Sequence, residues 1–118
     1  MNWGIQMIAR LNYVELPVGK IGPAKAFYEQ AFGWTLAEFG PTYAATTTGD
    51  TDVGLQGDAA EAPAAPLPVI EVENLDAALA AVEAAGGTIV RPIFAFPGGR
   101  RFHFLDPSGN ELAAVKGG

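Results

Sequence analysis

Polar and apolar residues alternate from Tyr13 to Val18, with Val14, Leu16 and Val18 on one face and Tyr13, Glu15 and Pro17 on the other, the period of a half-buried strand. An apolar face of this kind needs a helix to cover it, and the next segment supplies one. Ala24, Phe27, Tyr28, Ala31 and Phe32 recur at helical spacing as a single stripe, which predicts Phe27 and Phe32 to be core residues. The helix is expected to begin after Gly22, with Pro23 in the first turn where its missing N–H costs nothing, and to stop at Gly33, which can take the left-handed cap. Thr42 to Thr48 and Val53 to Gln56 then read as strands around a Gly49-Asp50 turn.

The pattern occurs twice. A shift of 54 residues lays Val18 on Val72, Ile21 on Leu75, Ala24 on Ala78, Glu29 on Glu83 and Gly33 on Gly87. In the second copy Ile70 and Val72 form the inner face of a strand, and Asn74 is placed to cap a helix. That helix carries the stripe Leu75, Ala78, Leu79, Val82 and Ala85 and stops at Gly86-Gly87. Thr88 to Arg91, Arg101 to Leu105 and Leu112 to Val115 complete it as strands, the last two joined across Asp106-Pro107-Ser108-Gly109. Residues 57–68 are rich in Ala and Pro without periodicity and read as an exposed linker. The predicted fold class is therefore α+β. One domain over residues 1–118 holds two tandem βαβββ modules, about 10–57 and 68–116, forming a curved mixed sheet with helices on the outer face and a concave cleft opposite.

Composition narrows the chemistry. With 118 residues the chain suits one domain whose folding hides roughly 65% of the unfolded surface, enough to stand without staples. The absence of cysteine removes disulfides, thiolate-held metals and thiol nucleophiles, and fits a reducing, cytoplasmic setting. Seven Lys+Arg against 13 Asp+Glu leaves a net charge of −6, which repels nucleic acid and anionic membranes and favours cationic or neutral small ligands. The opening MNWGIQMIAR has no basic stretch followed by a long apolar run, so neither a leader nor a membrane span is expected.

Three segments, YVELPVGKIGPAKAFYEQAFGW, VIEVENLDAALAAVEAAGG and RFHFLDPSGNEL, resemble the vicinal oxygen chelate superfamily, which includes glyoxalase I, bleomycin resistance proteins and extradiol dioxygenases. The likeness runs from about Leu11 to Lys116, and the D-P-x-G-N turn in register with the repeat is its most specific mark. In metal-using members, the resemblance implies, a divalent ion is held by the first and last strands of each module. The matching positions here are Tyr13, Leu67 and Ala113, with Gln56 on the remaining strand. A hard or borderline ion needs several convergent donors at about 2.0 to 2.6 Å, which an isobutyl group and a methyl do not supply. No metal and no other cofactor is expected, although Glu15, Glu71, His103 and Glu111 leave a displaced site open.

Glu15 shares a face with Tyr13, and Glu71 lies opposite Ile70 and Val72, so alternation aims both carboxylates at the concave side, to hold a cation or serve as a base. At wet strand ends beside Arg or Lys they would do neither. His103, the one histidine, alternates with Phe102 and Phe104, and is either a ligand contact or a hydrogen-bonded structural residue. Tyr13 and Tyr43 are the aromatic candidates for ligand contact, with Phe94, Phe96 and Trp34 as further lining or plain packing. Gly98-Gly99-Arg100-Arg101 precedes a strand rather than a helix, so it is read as a solvated turn and not a phosphate clamp. The ligand-binding set is thus Tyr13, Glu15, Tyr43, Gln56, Glu71 and His103, with no catalytic residue assigned.

Three function classes follow, in order of preference. The first is a metal-independent protein that binds or sequesters a small organic molecule, similar to bleomycin resistance proteins, and by that resemblance a homodimer. The second is a lyase, isomerase or dioxygenase, with displaced metal ligands or a metal-free Glu base. The third is a structural or regulatory module with a filled cleft.

Overall fold

In a computed structural model of the chain, residues 8–117 are described; residues 1–7, part of the opening stretch read above for a leader, lie outside them. The predicted alternation falls within β1 (Ala9–Pro17), which leads through Lys20 into α1 (Ile21–Phe32). The helix starts earlier than the sequence suggested. Lys20 caps it in an extended conformation with no side-chain hydrogen bond, and Pro23 becomes its third residue, still within the first turn whose N–H groups have no intrahelical partner. Gly33 ends it as expected, at φ 71°, with its N–H donating to the Glu29 carbonyl at 2.9 Å.

Three short strands follow: β2 (Ala37–Glu38), β3 (Tyr43–Ala45) and β4 (Asp52–Gln56). The strand predicted over residues 42–48 stops at Ala45 because the chain then folds around the Asp52 carboxylate. One oxygen accepts the Thr46 hydroxyl at 2.7 Å, the Thr48 hydroxyl at 2.8 Å and the Thr48 N–H at 2.9 Å, and the other accepts the Gly49 N–H at 2.9 Å. Side-chain acceptors of this kind offer the backbone an alternative to the sheet ladder.

Contacts divide the chain into two compact units, one of Asn12–Leu67 and the other of residues from Pro68 onward with the start of β1. In the first, strand order is β2-β3-β4-β1, with β1 parallel to β4 and the remaining pairs antiparallel. Its core joins Ile21, Leu36, Ala44 and Leu55, flanked by Leu16, Val18, Ala24, Tyr28 and Val53. Phe27 and Phe32 are not in it, contrary to the prediction: they are 58% and 62% exposed. The buried line of α1 is set by Ile21, Ala24 and Tyr28, so Phe27, one residue before Tyr28, is turned about 100° away. Phe32, on the last turn, rests on Tyr28 and Trp34 instead of the sheet.

The second unit contains β5 (Leu67–Val72), α2 (Leu75–Ala84), β6 (Thr88–Phe96), β7 (Gly99–Leu105) and β8 (Glu111–Gly117) in the order β5-β8-β7-β6. Again the first and last strands pair in parallel and the rest antiparallel. The repeat read from sequence is thus a repeat of topology, a βαβββ module twice over in an α+β chain. Asn74 caps α2 by accepting the Ala77 N–H at 2.9 Å. Leu75 and Ala78 enter a core with Val72, Phe102, Phe104 and Ala114, against which Leu79 and Val82 pack. β6 runs past the predicted Arg91 to Phe96, with two register irregularities that keep its burial from alternating simply. The Asp106 turn forms as predicted: its carboxylate accepts the N–H of Ser108 and of Asn110, each at 2.9 Å. Among the described residues, no helix is long and apolar enough to cross a membrane.

Leu55 is fully buried and Phe27 largely exposed, so Leu55→Ala should lower unfolding free energy by about 2 to 5 kcal/mol and Phe27→Ser by no more than about 0.5 kcal/mol, as measured by urea denaturation. Burial opposes ionisation of Asp52, but its hydrogen bonds from Thr46, Thr48 and Gly49 outweigh this and lower its pKa from 3.8 to about 2. The carboxylate therefore contributes stability that is complete above pH 3.8 and lost as pH falls through about 2. Unfolding midpoints recorded down this range should lose that acid-dependent component in Asp52→Asn.

Candidate functional site

Each module sheet has a face turned from its helix. In the first unit, β1 places Tyr13 and Glu15 on this face, beside Gly54 of β4, which Glu15 matches in register. Glu15 is 2% exposed, and the Tyr43 hydroxyl from β3 donates to its carboxylate at 3.4 Å. The Tyr43 hydroxyl is also hydrogen-bonded to that of Tyr13. Gly54 makes room for this arrangement: a Cβ on it would lie 2.0 Å from the Tyr43 hydroxyl oxygen and 2.1 Å from that of Tyr13. Three of the sequence candidates, Tyr13, Glu15 and Tyr43, therefore come together. Gln56, at the end of β4, is engaged otherwise, its side-chain oxygen accepting the Asp58 N–H at 3.0 Å. Gly54 was missed, and its place two residues before Gln56 on a strand was the available signal.

In the second unit, His103 on β7 is 6% exposed, level with Arg91 of β6 on one side and Ala113 of β8 on the other. Its Nδ1 lies 2.9 Å from the Glu111 carboxylate, so the partner assigns Nδ1 as the protonated nitrogen and leaves a lone pair on Nε2. Nε2 is buried with no hydrogen-bond partner among the described residues. Burial pushes the His103 pKa below its usual range; the Glu111 hydrogen bond opposes this, and the charges of Arg101 and Arg91 reinforce it. The Arg91 guanidinium lies 3.6 Å from the Phe94 ring centre, and that of Arg101 lies 5.3 Å from both Phe94 and Phe96. These rings thus pack under cations, a role the sequence left undecided. Glu71 is exposed, not buried, and lines a groove of about 370 Å³ with Arg10 and Lys116, the solvated strand end that the sequence reading allowed.

The positions at which a metal would be expected do not fit one. The Tyr13 phenol is bonded to another phenol, Leu67 is a buried isobutyl group, and Ala113 is a buried methyl beside Val69 and His103. Of the displaced set, His103 and Glu111 meet but are spent partly on each other, and among the described residues no three acidic or histidine side chains converge. The larger cavity, of about 670 Å³, lies on the other face of the first sheet, lined by Val14 and Leu16, away from Tyr13 and Glu15.

Against known proteins, the chain aligns over about nine-tenths of its length with solved structures of low identity. A structure described as NAD-dependent benzaldehyde dehydrogenase from Legionella pneumophila shares 18% identity at a TM-score of 0.75, covering 91% of this chain and 99% of that one. Methylmalonyl-CoA epimerase from Mycobacterium tuberculosis shares 16% at 0.72, covering 92% and 88%. The Mn(II)-bound glyoxalase from Novosphingobium aromaticivorans shares 22% at 0.66, covering 92% of this chain and 40% of that one. At these identities the likeness is one of fold. No curated protein matches the chain. A family model matches residues 10–114, a span that includes both modules, and the chain belongs to the Glyoxalase/Bleomycin resistance protein/Dioxygenase superfamily.

Proposed function

We propose that this chain is a cytoplasmic, homodimeric protein that binds a small organic molecule without a metal ion, with Glu15, Tyr13 and Tyr43 as its recognition group. The observation that carries the reading is the buried Glu15 carboxylate beside two phenols over a glycine. A carboxylate in low dielectric attracts a cation or a hydrogen-bond donor strongly, and phenol rings add attraction for cationic groups through their quadrupoles. The net charge of −6 favours the same ligands. Tyr13, Leu67 and Ala113 speak against a shared ion because two of them carry no donor atom.

Calorimetric titration with protonated amines and with carboxylic acids of equal size tests this. Amines should bind and acids should not, with affinity unchanged by chelator. Glu15→Gln should weaken amine binding about ten- to hundredfold while the fold persists. Equal binding of acids, a requirement for added metal, or an unaffected Glu15→Gln variant would each refute the reading.

His103 and Glu111 favour a second reading, proton transfer without metal. The neutral imidazole presents Nε2 as base, Glu111 holds the tautomer, and a proton taken from a substrate carbon would reside on Nε2 until returned. Methylmalonyl-CoA, the substrate named for one fold relative, is a suitable probe. In D2O with chelator, mass spectrometry should find deuterium at the acidic carbon with wild type and none with His103→Asn. No incorporation by wild type would end this reading.

A further inference from the structure

We infer that the first module carries a second ligand site, on the helix side of its sheet, for a neutral planar molecule such as a hydroxylated aromatic. The cavity of about 670 Å³ lies within the range of small-molecule pockets, roughly 300 to 1,000 Å³. Its floor is apolar: Val14, Leu16 and Val53 project from β1 and β4 past the end of α1, where no helical residue covers them completely. This is the face of β1 opposite to Glu15, so the site is separate from the one proposed above.

One wall is flat and held in place. Trp34 stacks on Tyr28 with ring centres 5.3 Å apart and planes 7° from parallel, and Phe32 leans on it at 5.6 Å, yet the indole remains 40% exposed. A rigid, half-exposed indole beside an apolar floor gives an aromatic ligand a surface to stack on with little loss of side-chain freedom. The rim comes from the threonine-rich loop between β3 and β4; the Thr46 and Thr48 hydroxyls are spent on Asp52 and on backbone N–H groups, so the uncharged hydroxyls offered to a ligand are those of Thr47 and Thr51, with Thr35 opposite.

Charge selects the ligand class. Asp52 is the one ionisable residue in the lining, and its two oxygens already take hydrogen bonds from Thr46, Thr48 and Gly49. The lining has no cation to attract an anion and no uncommitted carboxylate to attract a cation, which leaves stacking and hydroxyl contacts to a neutral molecule. The same hydrogen bonds fix the loop, so the rim is formed before a ligand arrives.

The probe is 2-naphthol, titrated into 15N-labelled protein at neutral pH and followed by amide shifts. Saturable shifts at Thr35, Thr47, Thr48 and Thr51, with an affinity independent of protein concentration, are the expected result. Trp34→Leu should weaken binding about tenfold. Thr47→Trp, a change at an exposed loop position that plugs the space, should block it with the fold intact. Glu15→Gln should leave naphthol binding unchanged, whatever its effect on amines, so the two sites stand or fall separately. Non-saturating or scattered shifts, or full binding in both Trp34→Leu and Thr47→Trp, would overturn the inference. So would binding that weakens as protein concentration rises while sedimentation shows a dimer that Trp34→Leu dissolves, since the cavity would then be covered by a second copy of the chain.

Discussion

Removing an ionisable side chain from water costs several kcal/mol unless neighbours replace the lost hydration, and among the described residues this chain buries Glu15 in the first module and His103 in the second. Glu15 is held by the Tyr43 hydroxyl in a space that only a glycine at position 54 leaves open. His103 is held by Glu111 on one nitrogen, with the other buried and unmet. Both lie on strand faces turned from the helices, where packing alone would favour valine or leucine. On the α2 side an apolar stripe closes over apolar strands, and on the α1 side it does so except past the helix end, where Val14, Leu16 and Val53 line a cavity. The asymmetry between the two faces of each sheet separates apolar packing from the buried ionisable groups Glu15 and His103.

Family membership gives these positions their interest, because one structure of the same fold is described as a Mn(II)-bound glyoxalase. A phenol, an isobutyl group and a methyl occupy the implied ligand positions. In the second module the imaginable replacement sits one strand over, since His103 is level with Ala113 across the β7–β8 ladder. Side chains so paired lie within about 5 Å of each other at Cβ, so the imidazole occupies the neighbourhood of the missing ligand while contributing hydrogen-bonding capacity in place of coordination.

The sequence disclosed the repeat, the alternation of β1, the Asn74 cap, the Gly33 stop and the Asp106 turn, because each depends on residues within a few positions of one another. It also brought Tyr13, Glu15 and Tyr43 onto one list, although only the sheet registers show that they touch. Phe27 was misjudged because the buried line of α1 runs through Ile21, Ala24 and Tyr28, which periodicity alone does not single out, and Phe32 because a stripe does not say where the sheet beneath it ends. The shortened β3 was missed because the Asp52 carboxylate, several residues away, competes for the backbone of the preceding loop. Glu71 shows the limit of alternation: it gives the face of a strand, and burial depends on what covers that face.

The parallel pairing of first and last strands in each module has a consequence for synthesis of the chain. Tyr13 of β1 waits for Asp52 of β4, and Val69 of β5 for Ala113 of β8, each partner roughly 40 residues downstream. At about 5 to 20 residues per second, a nascent β1 spends roughly 2 to 8 s emerging from the ribosome before its parallel neighbour exists. During that interval Leu16 and Val18 have only α1 to shelter them, so the early helix acts as the temporary guardian of an unfinished sheet.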